Sequence, residues 1–507
     1  MPTTVLFSQD GRLDADNRQR FDTLKGRLAS GTKKVLLHLH GGLVKKEDGE
    51  KIAAALSGTG PLAFNAPEDY EQIYIVWRTG ALETIRTNWK DLFDNDRLYR
   101  ALLKRLIGYV SSKIPVEDGS GRSVGLVAGL SLAEIDRRLN SGSDAPFADL
   151  DETAARDMSD RAIEMPEVTD AEIRGELGTA LKASAEFSAA VEDLAAAVSW
   201  DAEGRSTVTV HGDAARGRAS FARLQRDIRG ELEAAPDSDE GRGLIASAAL
   251  LKVLVKHGVA IAIRVIRRLR DKRGHGIYAT IVEEIARELY GDLIGSAIWG
   301  MMKNDANDHF GANGLGGELL DLFEVGNHRL VVTGHSAGSI WASAMLIAAA
   351  KMSSFPKFTL VLLAPAVRMV EFAAALKVAS LLLERFRIFA MSDALERADA
   401  VLGKGLGAIY PSSLLYLVSG LFEETAGQAA PDAPLLGMQR FLDRAPDWLD
   451  DQAEAAAITQ VRAFLGGIAN ASIYSKANGG AGLSTDATSH GGFDNNTLTL
   501  ESVHTFL

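Results

Sequence analysis

The sequence predicts an α/β architecture, a mostly parallel sheet with helices on both faces, carrying one large helical insertion. Three observations predict it. Short apolar runs of strand length alternate with helix-length segments in the first and last parts of the chain. Strands that are apolar throughout are those buried on both faces, as in parallel sheets. Between these parts lies a long stretch with helical periodicity, and then one strand-like run, Leu330 to Thr333, passes into a helix-like run across only five residues, Gly334-His335-Ser336-Ala337-Gly338.

In chain order, TTVLF reads as a short strand and 14–28 as a polar-faced helix. KKVLLHLHGG is a buried strand ending in glycines, a helix runs through 53–56, and QIYIVWRTG is the next strand. Residues 82–308 read as helical and free of strands, broken at polar, glycine-rich joints, with a strongly acidic stretch at 144–172. There is no internal repeat. GANGLGGE follows no strand and lacks the G-K-[ST] ending of a phosphate loop, so it reads as a plain connection. Strands resume at HRLVVTG, FTLVLLAPA, RFRIFAMSD and PSSLLYLVSG. The expected organisation is a core made of 1–81 and 309–507, with 82–308 inserted as a cap.

The 507 residues, 46% hydrophobic, suffice for one large core or two ordinary ones. A net charge of −12 argues against binding nucleic acid through bulk charge. The absence of cysteine excludes disulfides, thiolate metal sites and a cysteine nucleophile. No metal or organic cofactor is implied. The N-terminal residues have neither a basic n-region nor a long apolar h-region, so cytoplasm is the expected location. The most apolar window, 244–266, is interrupted by Lys252, Lys256 and Arg264, so no transmembrane segment is expected.

The strand-to-helix join carries the chemistry. So sharp a turn forces its central residue to positive φ and brings strand and helix close together, so glycine is needed two residues to either side. The result lifts the Ser336 hydroxyl into a cleft. A serine hydroxyl needs a base to take its proton and a third group to orient that base. Two histidines follow Ser336. His504 lies inside the terminal helix, and His490, in the polar loop ATSHGGFDNN, is the candidate base. Asp393 leaves the end of RIFAM and is the candidate acid, also suited to cap the helix that follows; Glu423 and Glu424 are the alternatives. An oxyanion needs backbone N–H donors. Ala337, after the serine, supplies one, and the loop His38-Leu39-His40-Gly41-Gly42 the other.

HLHGG, GHSAG, the strand-end Asp393 and SHGGFDN resemble the α/β-hydrolase superfamily in its usual order of oxyanion loop, serine, acid and histidine. The resemblance covers roughly 1–85 and 310–507. It extends to bacterial hydrolases with HGGLV near the N-terminus and LYLVS near the C-terminus. It implies Ser336 as nucleophile, His490 as base, Asp393 as acid, and Gly42 with Ala337 as the oxyanion hole, Gly41 or Leu43 being alternatives to Gly42. Two features depart from the superfamily pattern: the insertion precedes the nucleophile strand, and a long segment separates LYLVS from His490.

The expected activity is hydrolysis of a carboxylic ester, a lipid acyl ester included, through an acyl-enzyme. Amide, thioester and peptide substrates use the same triad, and a binding or scaffold protein on the same fold is the alternative of another class. Within the insertion, KVLVKHGVAIAIRVIRRLRDKR is apolar at helical spacing with a basic end. It reads as a helix buried on one side with a solvated basic edge, or as a peripheral contact with an anionic membrane. Trp77 and Arg78, ending their strand, are candidates to line the pocket.

Overall fold

The computed structural model describes all residues except Met1, Thr32, Leu43, 78–81, Ile114, 118–122, 126–129, 151–167, 203–212, 235–241, Lys272, 292–294, 404–405, 426–427, 430–431, 444–448 and Asp450. Leu43 and Arg78, named above, therefore lie outside the described residues, as does much of the acidic stretch.

The chain forms two compact units. The first comprises Met1–Glu83, Ala297–Asp399 and Ser413–Leu507; the second comprises Thr84–Ser296 and the short excursion Ala400–Ser412. The helix Ser296–Asp308 thus falls almost wholly in the first unit, not in the 82–308 insertion expected from sequence. Its side chains explain why. Trp299 Nε1 donates to Glu423 Oε1 at 2.6 Å, Lys303 Nζ reaches Glu423 Oε2 at 2.8 Å, and Asp305 Oδ1 accepts the Gly11 N–H at 2.6 Å.

The first unit is built on an eight-stranded sheet. Its strands are β1 (Thr3–Gln9), β2 (Arg12–Leu13), β3 (Lys34–Leu39), β4 (Tyr70–Trp77), β5 (Arg329–His335), β6 (Phe358–Leu363), β7 (Leu383–Met391) and β8 (Ser472–Ser475). Their spatial order is β8-β7-β6-β5-β3-β4-β1-β2, and only the β1–β2 pair is antiparallel. The α/β class read from sequence is what the chain adopts. Residues of β4 and β6 are buried along their whole length, the polar Glu71, Gln72 and Thr359 included. On one face Leu36, Val331, Val361 and Phe389 pack with Phe493 and Leu500 from the C-terminal segment. Elsewhere the helix Met369–Ala379 packs on Gly338–Ala349 and on Gln452–Gly466.

Two expected elements are corrected. PSSLLYLVSG is not a strand: Leu414–Leu417 is helical and continues as a wider helical turn through Val418–Phe422. Ser413 explains the start, its Oγ accepting the Tyr416 N–H as a helix cap. The last strand of the sheet is instead β8, SIYS, which pairs with β7 and shortly precedes His490. The long gap before the histidine therefore holds a strand that the sequence reading overlooked.

The second unit is largely helical, but it is not free of strands, since Pro115–Glu117 and Ser123–Gly125 form an antiparallel hairpin. Its long helix Arg242–Arg270 packs on Asp170–Lys182, Ala185–Ala202 and Ile277–Leu289. The basic end of that helix is paired rather than free. Arg268 bridges Glu283 and Glu284 at 2.7 and 3.0 Å, Arg264 bridges Glu284 and Glu288 at 2.8 and 2.6 Å, and Arg267 reaches Asp170 at 2.9 Å. Most of the neutralising charge comes from the helix Ile277–Leu289. Among the described residues no helix is long and apolar enough to cross a membrane.

Candidate active site

Ser336 stands between β5 and the helix Gly338–Ala349 with φ +50°. That conformation is costly for a residue with a side chain, so the surroundings have to hold it. They do so with hydrogen bonds. The Ser336 N–H donates to the Leu363 carbonyl at 2.8 Å, and its carbonyl accepts from the Ala366 N–H at 3.1 Å and from Ser339 Oγ at 2.6 Å. The end of β6 therefore braces the turn. The two flanking glycines are steric necessities: a methyl group on Gly338 would lie 2.5 Å from the Leu39 carbonyl oxygen, and one on Gly334 would lie 3.0 Å from the Gly338 carbonyl.

His490 opens a short 3₁₀ helix of six residues, His490–Asn495, ahead of the terminal helix Thr497–His504. Its Nε2 lies 2.8 Å from Ser336 Oγ, across 154 positions of sequence. Both residues are buried. Burial, and after it the charge of His335, push the His490 imidazole down to about 3, against the pull of Asp494. The ring is therefore neutral at ordinary pH and able to accept the serine proton at Nε2. In that tautomer Nδ1 carries the hydrogen, yet Nδ1 is buried with no hydrogen-bond partner among the described residues. An unmet buried donor costs about 1–3 kcal/mol, so an acceptor is called for.

Asp393 is not brought there. Its carboxylate accepts from Tyr416 Oη at 2.5 Å and pairs with Arg397 at 2.8 Å, and its N–H donates to Gln439 Oε1. Burial works against its charge, but Arg397, Tyr416 and Arg440 outweigh that and hold the group below its ordinary value. Nor is Asp393 the helix cap: Ser392 Oγ accepts the Leu395 N–H. The alternatives fail likewise. Glu423 is engaged by Trp299 and Lys303, and Glu424 belongs to a short hairpin strand. The acid shown on His490 is Asp399, whose Oδ2 accepts the His490 main-chain N–H at 2.8 Å. Burial raises its carboxyl, partly offset by that bond. Sequence reading missed Asp399 because a six-residue helix, Asp393–Ala398, separates it from β7. One signal was available. Asp399 caps the C-terminal end of that helix, where the dipole disfavours a carboxylate, and such a position is held for another reason.

The glycine loop after β3 lies against the serine. A methyl group on Gly41 would be 3.3 Å from both Ser336 Cβ and His335 Nδ1, and one on Gly42 would be 2.9 Å from Ala337 Cβ and 2.2 Å from Met302 Sδ. Ala337 is the N-cap of Gly338–Ala349, at the positive end of its dipole. Of the sequence candidates, then, Ser336, His490, Gly42 and Ala337 come together and Asp393 does not. Trp77 is fully buried, its ring edge-on to His309 and its Nε1 3.4 Å from the His40 carbonyl, which makes it a core residue.

No family model, curated protein or solved structure matches this chain.

Proposed function

We propose that the protein is a serine hydrolase of the α/β-hydrolase type, cleaving carboxylic esters through an acyl-enzyme. The observation that carries this reading is the 2.8 Å approach of His490 Nε2 to Ser336 Oγ on a positive-φ turn between strand and helix. The sheet order supports the fold type: β5 is central, the acid-bearing segment follows β7, and the histidine follows β8. The resemblance of HLHGG and GHSAG to that superfamily supports the ester substrate.

In this reading Ser336 Oγ adds to the ester carbonyl carbon while its proton passes to His490 Nε2. The N–H groups of Ala337 and Gly42 meet the charge developing on the carbonyl oxygen. The protonated His490 returns the proton to the leaving oxygen, the C–O bond breaks, and the alcohol departs. Water then repeats the sequence on the acyl-serine, releasing the carboxylic acid. Asp399, not Asp393, is the acid we assign to hold His490 in place, through its main-chain N–H.

A fluorophosphonate probe should label the wild type and leave a folded Ser336→Ala variant unlabelled, and a series of p-nitrophenyl esters should turn over only in the wild type. Labelling that persists in Ser336→Ala, or a wild type that never reacts, overturns the reading. The second outcome is the one expected of a binding protein on the same frame, for which the unpartnered Nδ1 of His490 speaks.

A further inference from the structure

The residue between Gly334 and Ser336 in the turn is a buried histidine with an unusual set of partners. His335 Nε2 lies 2.9 Å from the main-chain carbonyl of His490, and His335 Nδ1 lies 3.2 Å from Asp494 Oδ2. A carbonyl oxygen can only accept. An ionised carboxylate can only accept. With the carbonyl and an ionised Asp494 as acceptors, both ring nitrogens donate, so the arrangement fits a ring that carries two hydrogens and a positive charge. Its ring also stacks on that of His490, with centroids 5.6 Å apart and planes inclined by 28°.

We propose that His335 is a cationic positioning residue: as an imidazolium held by Asp494, it clamps the main chain of His490 and so fixes the base against Ser336. The inference deepens the serine-hydrolase reading and rests on it for its link to catalysis, though the charge state of His335 does not. The contacts of His335 run to Asp494 and to the main chain and ring of His490. They act through His490.

The surroundings agree with one buried ion pair and neutral neighbours. From β3 and the loop after it, His38 and His40 face the pair, and burial pushes them down to about 3 and about 4, with the charge of His335 acting in the same direction. From the C-terminal segment come His490, neutral as described, and Asp494, whose burial is outweighed by His335 so that its carboxyl stays below the ordinary value. Burial also works against the charge on His335, but the charge of Asp494, the bond to it and the bond to the His490 carbonyl outweigh it and raise the group. The pair is neutral as a whole, which matters when His490 becomes a second cation during proton transfer. His335 alone would oppose that step, and Asp494 compensates.

As pH rises through the raised value of His335, one hydrogen leaves. The remaining one can serve Asp494 or the His490 carbonyl, not both, and the clamp loosens. The rate of fluorophosphonate labelling should therefore fall on the alkaline side. Removing the carboxylate charge with Asp494→Asn lowers the affinity of His335 for its proton, so the alkaline fall should move to lower pH. His335→Phe keeps a flat ring but makes neither bond, and should label at least tenfold more slowly at neutral pH while keeping its circular-dichroism spectrum. A purely structural role would change melting without moving the pH profile.

Nitrogen-15 spectra of histidine-labelled protein provide the second arm. At pH 7 His335, assigned by its loss in His335→Phe, should show two protonated ring nitrogens and His490 one. A neutral His335 at pH 7, or an alkaline limb unmoved by Asp494→Asn, overturns the proposal. Should the wild type never react with the probe, the hydrolase reading fails by itself, and the nitrogen spectra still decide the charge of His335.

Discussion

Asp399 and Asp393 lie at the two ends of one short helix after β7, and only Asp399 bonds to His490. Asp399→Ala leaves the His490 main-chain N–H without its acceptor, so it should slow turnover by loosening His490 and lower stability by about 1–3 kcal/mol. Asp393→Asn should stay within a few-fold of wild type in turnover and lower stability instead, because it weakens the contacts to Arg397 and Tyr416. Steady-state ester kinetics beside urea unfolding separates the two. If Asp393→Asn is the inactive variant, the acid has been misplaced.

The glycine at 338 admits a direct steric test. Its added methyl group would meet the backbone of Leu39 at 2.5 Å, and a backbone atom cannot swing aside as a side chain can. Gly338→Ala should cost about 1–3 kcal/mol, read as a lower urea midpoint, and should shift β3 against the turn enough to reduce labelling. Gly466→Ala, in the helix Gln452–Gly466 with open space around the new methyl group, is the control and should be neutral or stabilising.

For pH dependence the sign follows from the lowered value of His490. An ordinary histidine base loses activity as pH falls through about 6.5. Burial and the neighbouring His335 keep His490 unprotonated to about 3, so labelling per folded molecule should hold steady from pH 7 to pH 5. The same shift weakens the fold in acid. Unfolded, His490 takes up a proton near 6.5, and between that value and its folded one this group's contribution falls with decreasing pH by about 1.4 kcal/mol per unit. Stopped-flow labelling across that range, scaled by the folded fraction, provides the check; a midpoint near 6.5 would contradict it.

The second unit can be probed at Arg268, which is 4% exposed and faces two buried glutamates. Arg268→Ala leaves Glu283 and Glu284 short of a partner and should destabilise by about 3–5 kcal/mol. Lys256→Ala breaks an exposed pair with Glu231 and should cost less than about 1 kcal/mol. Because carboxylates of this unit already engage Arg264, Arg267 and Arg268, pelleting with phosphatidylserine vesicles at physiological salt should be negligible. Strong pelleting abolished by charge reversal at Arg264 would restore the membrane reading.

What could be read from sequence and what could not divides along physical lines. GHSAG was legible because steric exclusion dictates its glycines, whatever surrounds them. The strands β3 to β6 were legible because burial on both faces leaves a largely apolar signature, and β7 because its second half, Ile388 to Met391, does the same. LYLVS misled because a short apolar run carries no periodicity that separates strand from helix, and the deciding feature, the Ser413 cap, lies just outside it. SIYS was passed over as a four-residue strand with two serines. Asp399 and Asp494 depend on where the chain returns in three dimensions. Neither position is marked by strand-end spacing, though an acid on the wrong end of a helix dipole was a clue.

The pairing of β3 with β5 sets an order of events in folding. His38 and Thr333 share a 2.8 Å hydrogen bond although they stand 295 positions apart. A ribosome making this chain releases β1, β3 and β4 early, and then everything from Thr84 to Ser296, before the strand that fills the middle of the sheet exists. During that interval the apolar β3 has one finished neighbour, β4, and one vacant edge, the kind of surface on which nascent chains aggregate. Assembly of the nucleophile turn must wait for β5 and β6, and the partner histidine arrives only after β8. Hydrogen-exchange labelling during refolding should accordingly find the amides of β5 protected later than those of the helix Arg242–Arg270, whose partner helices lie nearer to it in sequence than β3 lies to β5.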